Sequence, residues 1–202
     1  MVAGLFGTLF NHAILSSMDV FARIEQEPVL VPGLIVGLAV GAVACVTPAL
    51  LGGGHRLAEE ALAGQLALGA VDLFFVLRFG LTLVCYGSGA PASIFAPLLA
   101  GGALGGLALG QLAQAFYPLA IEHPQTFAVV GMAALFASVV RPPLTAVVLI
   151  VEMTAEHSPM LPLMVACLTS YLVADVLGSR PLDASPMARD LERQRLRLQQ
   201  PT

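Results

Sequence analysis

The run Ser93-Ile94-Phe95-Ala96-Pro97 is followed by Leu98-Leu99-Ala100-Gly101-Gly102-Ala103-Leu104-Gly105-Gly106 and preceded by Gly87-Ser88-Gly89-Ala90-Pro91-Ala92. A loop of Gly, Ser and Pro thus delivers the chain to a helix start in apolar surroundings. The first backbone N–H groups of a helix have no acceptor within it, and they lie at the positive end of its macrodipole. An anion set there is held by dipoles rather than by a full positive charge. That chemistry suits transport, because conduction needs binding firm enough to admit an ion and loose enough to release it. The same pattern also serves close helix packing, and spacing alone does not separate the two uses.

The remaining chemically capable side chains are scattered. Arg78 lies deep in an apolar run, where an ionised group is a functional candidate by default. Pairing with a carboxylate is the structural alternative and the favoured reading. Asp72, six residues away, is poorly placed for it on one helix face, and Glu152 is a second candidate. Glu152 could instead accept a proton, since burial raises carboxyl pKa values; that is the less favoured role. His12, His55, His123 and His157 show no helical metal spacing. Cys45, Cys85 and Cys167 each sit in an apolar stretch and read as small buried thiols. No cofactor and no metal is expected. No Ser/His/Asp set or paired carboxylates point to an enzyme.

The elements that position these residues are membrane elements. The chain has 57% hydrophobic and 11% charged residues, against about 25% charged in a soluble domain. A spanning helix needs roughly 20 apolar residues, and several runs approach that length. The net charge of −4 argues against nucleic acid, and all nine basic residues are Arg. Apolar segments are read at residues 2–18, 31–51, 66–86, 95–116 and 160–177. A polar loop with Asp19, Arg23, Glu25 and Glu27 follows the first. Two shorter runs, 127–140 and 144–153, flank Arg141-Pro142-Pro143 and read as a hairpin of half-length helices. Broken helices at membrane depth are tolerated where protein or water covers them, and transporters use their ends to face ions. No Lys or Arg precedes the first run, so it reads as the inside of a membrane segment rather than as a signal peptide. In the tail, Ser185 and Pro186 suit a helix start, and Arg189, Arg193 and Arg197 share a face. Basic residues there point to a cytoplasmic C-terminus.

Ser93-Ile94-Phe95-Ala96-Pro97 resembles the second-half anion motif of CLC chloride channels and chloride/proton exchangers, Gly-x-Phe-x-Pro. Ser88-Gly89-Ala90-Pro91 precedes it as in bacterial members. Gly131 to Ala137, Arg141-Pro142-Pro143-Leu144-Thr145, Val151-Glu152-Met153-Thr154 and Arg180-Pro181-Leu182 resemble later family segments in order. Gly4-Leu5-Phe6-Gly7 and Gly52-Gly53-Gly54 also fall in family positions. The resemblance covers essentially the whole chain. It implies an all-α integral membrane fold, a bundle of tilted and partly broken helices, of which this chain is the C-terminal half. The membrane domain is then 1–182, and 183–202 is a terminal amphipathic helix and tail. The family's anion is held by the amides matching Ile94 and Phe95, with Ala96 at an adjacent site and Ser93 at the motif's first position. The implied partners are chloride, a second copy of the chain and an N-terminal CLC half, with proton coupling left open. The implied location is a bacterial inner membrane.

The chain also departs from the pattern. The family's first half, with its selectivity serine, gating glutamate and proton-relay glutamate, has no counterpart here. Gly87-Ser88-Gly89-Ala90-Pro91 resembles the serine motif, but its distance to Phe95 favours Ser88 as a turn residue. Ser93 replaces the usual Gly, which permits closer backbone approach. Asp183 stands where a pore-facing tyrosine is expected. An ionised carboxylate only accepts hydrogen bonds, whereas a phenol donates one to chloride. Either Asp183 points away from the path, the favoured reading, or it faces the path and weakens anion binding. Chloride transport is the leading function, and a truncated, non-transporting membrane remnant is the alternative.

Overall fold

The computed structural model describes residues 1–24, 30–64, 70–88, 94–117, 123–154 and 160–178. These contain helices α1 (Val2–Ile24), α2 (Leu30–Val46), α3 (His55–Leu62), α4 (Ala70–Gly87), α5 (Phe95–Phe116), α6 (Gln125–Val139), α7 (Pro143–Thr154) and α8 (Met160–Val176), with a 3-10 turn at Pro48–Leu50. The fold is all-helical, as the apolar runs require. Among the described residues, α5 is the one helix both long and apolar enough to cross a membrane by length and composition. At 1.5 Å per residue, α6 and α7 reach only about 22 and 18 Å against a hydrocarbon core of about 30 Å. They form the expected hairpin of half-length helices.

Boundaries differ from the sequence reading: the segment read as 31–51 is α-helical only to Val46, with the 3-10 turn at Pro48–Leu50 after it. The polar loop expected after residue 18 begins later, because α1 runs on to Ile24 and carries Asp19 and Arg23. No Gly or Pro interrupts residues 19–24. The polar stretch from His55 forms helix α3, which follows Gly54 in the left-handed region at φ 83, a conformation suited to Gly.

The bundle centres on α6, which packs against α1, α5, α7 and α8. Its residues from Met132 to Val139 are all buried. In lipid, helices gain little from hiding apolar surface and associate through close packing, so small residues dominate the contacts. Gly102, Gly106 and Gly110 of α5 recur every fourth residue and meet Gly131, Met132 and Phe127 of α6. A Cβ at Gly106 would collide with the Phe127 carbonyl oxygen, and one at Gly131 with the Gly102 carbonyl oxygen. Backbone therefore touches backbone at this crossing. An aromatic seam joins α1 to α4: Phe6 lies 5.0 Å from Phe75 and 5.5 Å from Phe79, and Phe10 lies 5.4 Å from Phe79, between ring centroids.

Candidate anion site at the start of α5

Of the expected site residues, Ile94, Phe95 and Ala96 are described; Ser93 and Asp183 lie outside the described residues. Ile94 is the N-cap of α5, and its own side chain makes no capping hydrogen bond. The first bond of the helix runs from the Leu98 amide to the Ile94 carbonyl at 3.1 Å. Pro97 has no N–H, so the Leu98 amide is the first of the turn to bond within the helix, and the backbone of Ile94, Phe95 and Ala96 forms the positive end of its dipole. Ile94 and Phe95 are half-buried against the core. The Phe95 ring meets Phe136 of α6 edge-on at 5.5 Å between centroids, an arrangement that aromatic quadrupoles favour. Immediately inside, Leu98, Leu99 and Ala100 are buried. The first turn of α5 is thus oriented by an aromatic contact at its tip and by the glycine crossing behind it.

Arg78 braces the same region from α4. It is only 3% exposed. Its Nη1 donates to the Leu50 carbonyl at 2.7 Å and its Nη2 to the Gly52 carbonyl at 2.8 Å. The carboxylate pair expected from the sequence is not made: Asp72 and Glu152 are both exposed, and Arg78 bonds backbone oxygens instead. The physical reason is local. The 3-10 turn and the glycines after it leave carbonyls without helical partners, and a planar guanidinium can serve two of them at once. A Cβ at Gly54 would sit 2.7 Å from the Ala100 Cβ and 3.0 Å from Arg78 Nη2. The 50–54 turn therefore lies between the guanidinium and α5.

Ser88 behaves as a turn residue, donating from its hydroxyl to the Cys85 carbonyl at 2.8 Å. Cys167 is buried as expected, Cys85 is intermediate, and Cys45 is exposed. Sequence reasoning missed a second charged cluster. Arg141 Nη1 pairs with Asp175 Oδ1 at 2.6 Å, 34 positions away. No periodicity links residues so far apart, so no sequence signal pointed to the pair.

Half-length helices packed in one bundle, with a helix start half-buried among them, are the arrangement typical of broken-helix membrane transport folds. Residues 1–175 match the model of the family described as voltage gated chloride channel, and the chain belongs to this CLC family. It is 41% identical over 198 residues to the H(+)/Cl(-) exchange transporter ClcA of Klebsiella pneumoniae subsp. pneumoniae, covering 96% of this chain and 42% of that protein. It is 39% identical to the ClcA of Vibrio parahaemolyticus, over 97% of this chain and 43% of that one. Among solved structures it matches a slow cyanobacterial Cl-/H+ antiporter with a TM-score of 0.87 at 35% identity, covering 96% of this chain and 46% of the antiporter. A eukaryotic CLC transporter matches at TM-score 0.69 and 27% identity, over 90% and 32% respectively. The chain therefore spans less than half the length of these relatives.

Proposed function

We propose that this chain forms the C-terminal half of a chloride pathway, with the anion held by the backbone amides of Ile94, Phe95 and Ala96. The observation that carries this reading is the first turn of α5, half-buried, fixed by Phe136 and set at the positive end of the helix dipole. The exchanger names of the relatives support chloride as the anion and protons as the counter-substrate. The pathway needs an N-terminal CLC half, since the relatives are more than twice as long. A homodimer in a bacterial inner membrane with a cytoplasmic C-terminus completes the proposal. For the dimer, Leu5 and Leu9 of α1, Leu144 and Val148 of α7, and Leu161, Val165, Leu168 and Leu172 of α8 are all exposed at helical spacing.

The competing reading is a non-transporting membrane remnant. The two separate on one preparation. Protein captured from native membranes with an antibody to residues 187–200 is sized and then reconstituted in chloride-loaded vesicles. A band near twice 20.9 kDa with chloride efflux is the expected result. A band at 20.9 kDa without efflux establishes the remnant.

For Asp183, the expectation is that it points away from the path. Asp183→Tyr should then leave the chloride Kd, by calorimetry, unchanged within about twofold. A clear rise in affinity would place residue 183 in the path, because a phenol donates to chloride where a carboxylate repels it.

A further inference from the structure

The crossing of α5 over α6 changes character along its length. A Cβ at Gly106 would meet the Phe127 carbonyl oxygen, and one at Gly102 would sit 2.7 Å from the Met132 Cα, so backbone touches backbone there. At Gly101 the atom that a Cβ would meet is a side-chain atom, Leu135 Cδ2 at 3.9 Å. At the very start of α5 the contact is ring on ring: Phe95 meets Phe136 at 5.5 Å between centroids, with the ring planes 79° apart. The register is antiparallel. Phe127, Met132, Leu135 and Phe136 of α6 are met in turn by Gly106, Gly102, Gly101 and Phe95.

Two rings need more room than two glycines. The Phe95–Phe136 pair is therefore a wedge between helices held at closest approach farther along, and its size sets where the first turn of α5 rests. Phe136 is the inner half of the wedge. It is 6% exposed, within a stretch of α6 that is buried from Met132 to Val139, and a close-packed interior passes strain on rather than absorbing it. Phe95 is the outer half, half-buried in the turn that holds the anion. Contacts made by backbone cannot be retuned by a change of rotamer, because backbone moves only with its helix. At a reaction centre of fixed geometry a misplacement of about 1 Å costs on the order of 100-fold.

From this tapered crossing we infer that Phe136 is a positioning residue: acting through Phe95, it sets how well the start of α5 fits chloride as against a larger anion. The inference rests on the transport reading above and assigns anion preference to a residue one layer behind the site. The molecule supplies its own control in the α1–α4 seam. Phe10 there is 4% exposed and lies 5.4 Å from Phe79, so it is as buried as Phe136 and likewise paired with a ring, in a pair that does not include α5.

The test compares Phe136→Leu with Phe10→Leu in the protein expressed from its full native reading frame. Chloride Kd is read by calorimetry, efflux of chloride and of nitrate from vesicles, and stability in denaturing detergent. Phe136→Leu should raise the chloride Kd by about fivefold or more and lower the preference for chloride over nitrate by a similar factor. Phe10→Leu should lose comparable stability and leave both binding and preference within about twofold of the parent. In a Phe95→Leu background, Phe136→Leu should add less than about twofold, because two residues that act through one contact are not additive. No shift in Phe136→Leu, an equal shift in Phe10→Leu, or a full further effect in the Phe95→Leu background overturns the positioning role and leaves the transport reading intact. Absence of chloride binding and efflux in the parent overturns both. If Phe136→Leu does not fold, Phe136→Met, an unbranched gap-filler, replaces it under the same criteria.

Discussion

Gly106→Leu is expected to prevent assembly of the bundle, with loss of monodisperse protein after extraction and loss of chloride efflux. The reason is that the atom facing Gly106 is a backbone oxygen, that of Phe127. A side chain in the way can change rotamer, but a helix carbonyl moves only with its helix. Overpacking usually costs about 1–3 kcal/mol, and a clash with backbone belongs at or above the top of that range. Even the single methyl of Gly106→Ala should cost about 3 kcal/mol. Gly37→Ala is the matched control. No atom of the described residues lies within 4 Å of a Cβ there, and Ala is favoured over Gly in a helix by roughly 1 kcal/mol. Unfolding by denaturing detergent would compare them. Equal stability of the two variants would show that α5 and α6 do not cross in backbone contact.

Arg78→Met is the second large effect, and its sign has to be decided by magnitudes. Removing the guanidinium relieves the cost of burying a charge, which can make hydrophobic replacement of a buried ionic group neutral or stabilising. It also strands the buried Leu50 carbonyl, at about 1–3 kcal/mol for a buried group left without a partner, whereas Gly52 is exposed and loses less. Both bonds are short, at 2.7 and 2.8 Å, and donors to carbonyls are stronger when charged. Loss of about 1–3 kcal/mol is therefore expected. Arg78→Lys should recover only part of it, since an ammonium lacks the planar fork. The check is the same detergent unfolding, read alongside chloride efflux. A Met variant as stable as the parent, yet without efflux, would mean that Arg78 serves the pathway and not the turn.

Much of this molecule was legible without coordinates. Fifty-seven per cent hydrophobic residues identify the membrane as solvent, and Arg141-Pro142-Pro143 splits one apolar stretch into two half-helices because proline cannot continue a helix. The start of α5 was read at about Phe95, where it falls, since a loop of Gly, Ser and Pro gives way there to an apolar run. That the Gly-rich run of α5 could serve close helix packing was visible too. Those features are local: each depends on neighbours within a turn or two of chain, so residue order determines them.

Tertiary structure alone decided which elements face each other. Nothing in residue order says that the glycine stripe of α5 meets Gly131. Nor does it say that Arg78 reaches back to Leu50 and Gly52 rather than to Asp72 or Glu152, or that Arg141 closes on Asp175. A buried polar group takes whichever partner the packed helices bring within about 3 Å. That choice is made by crossing angles and close approaches across the bundle, for which distance along the chain carries no information.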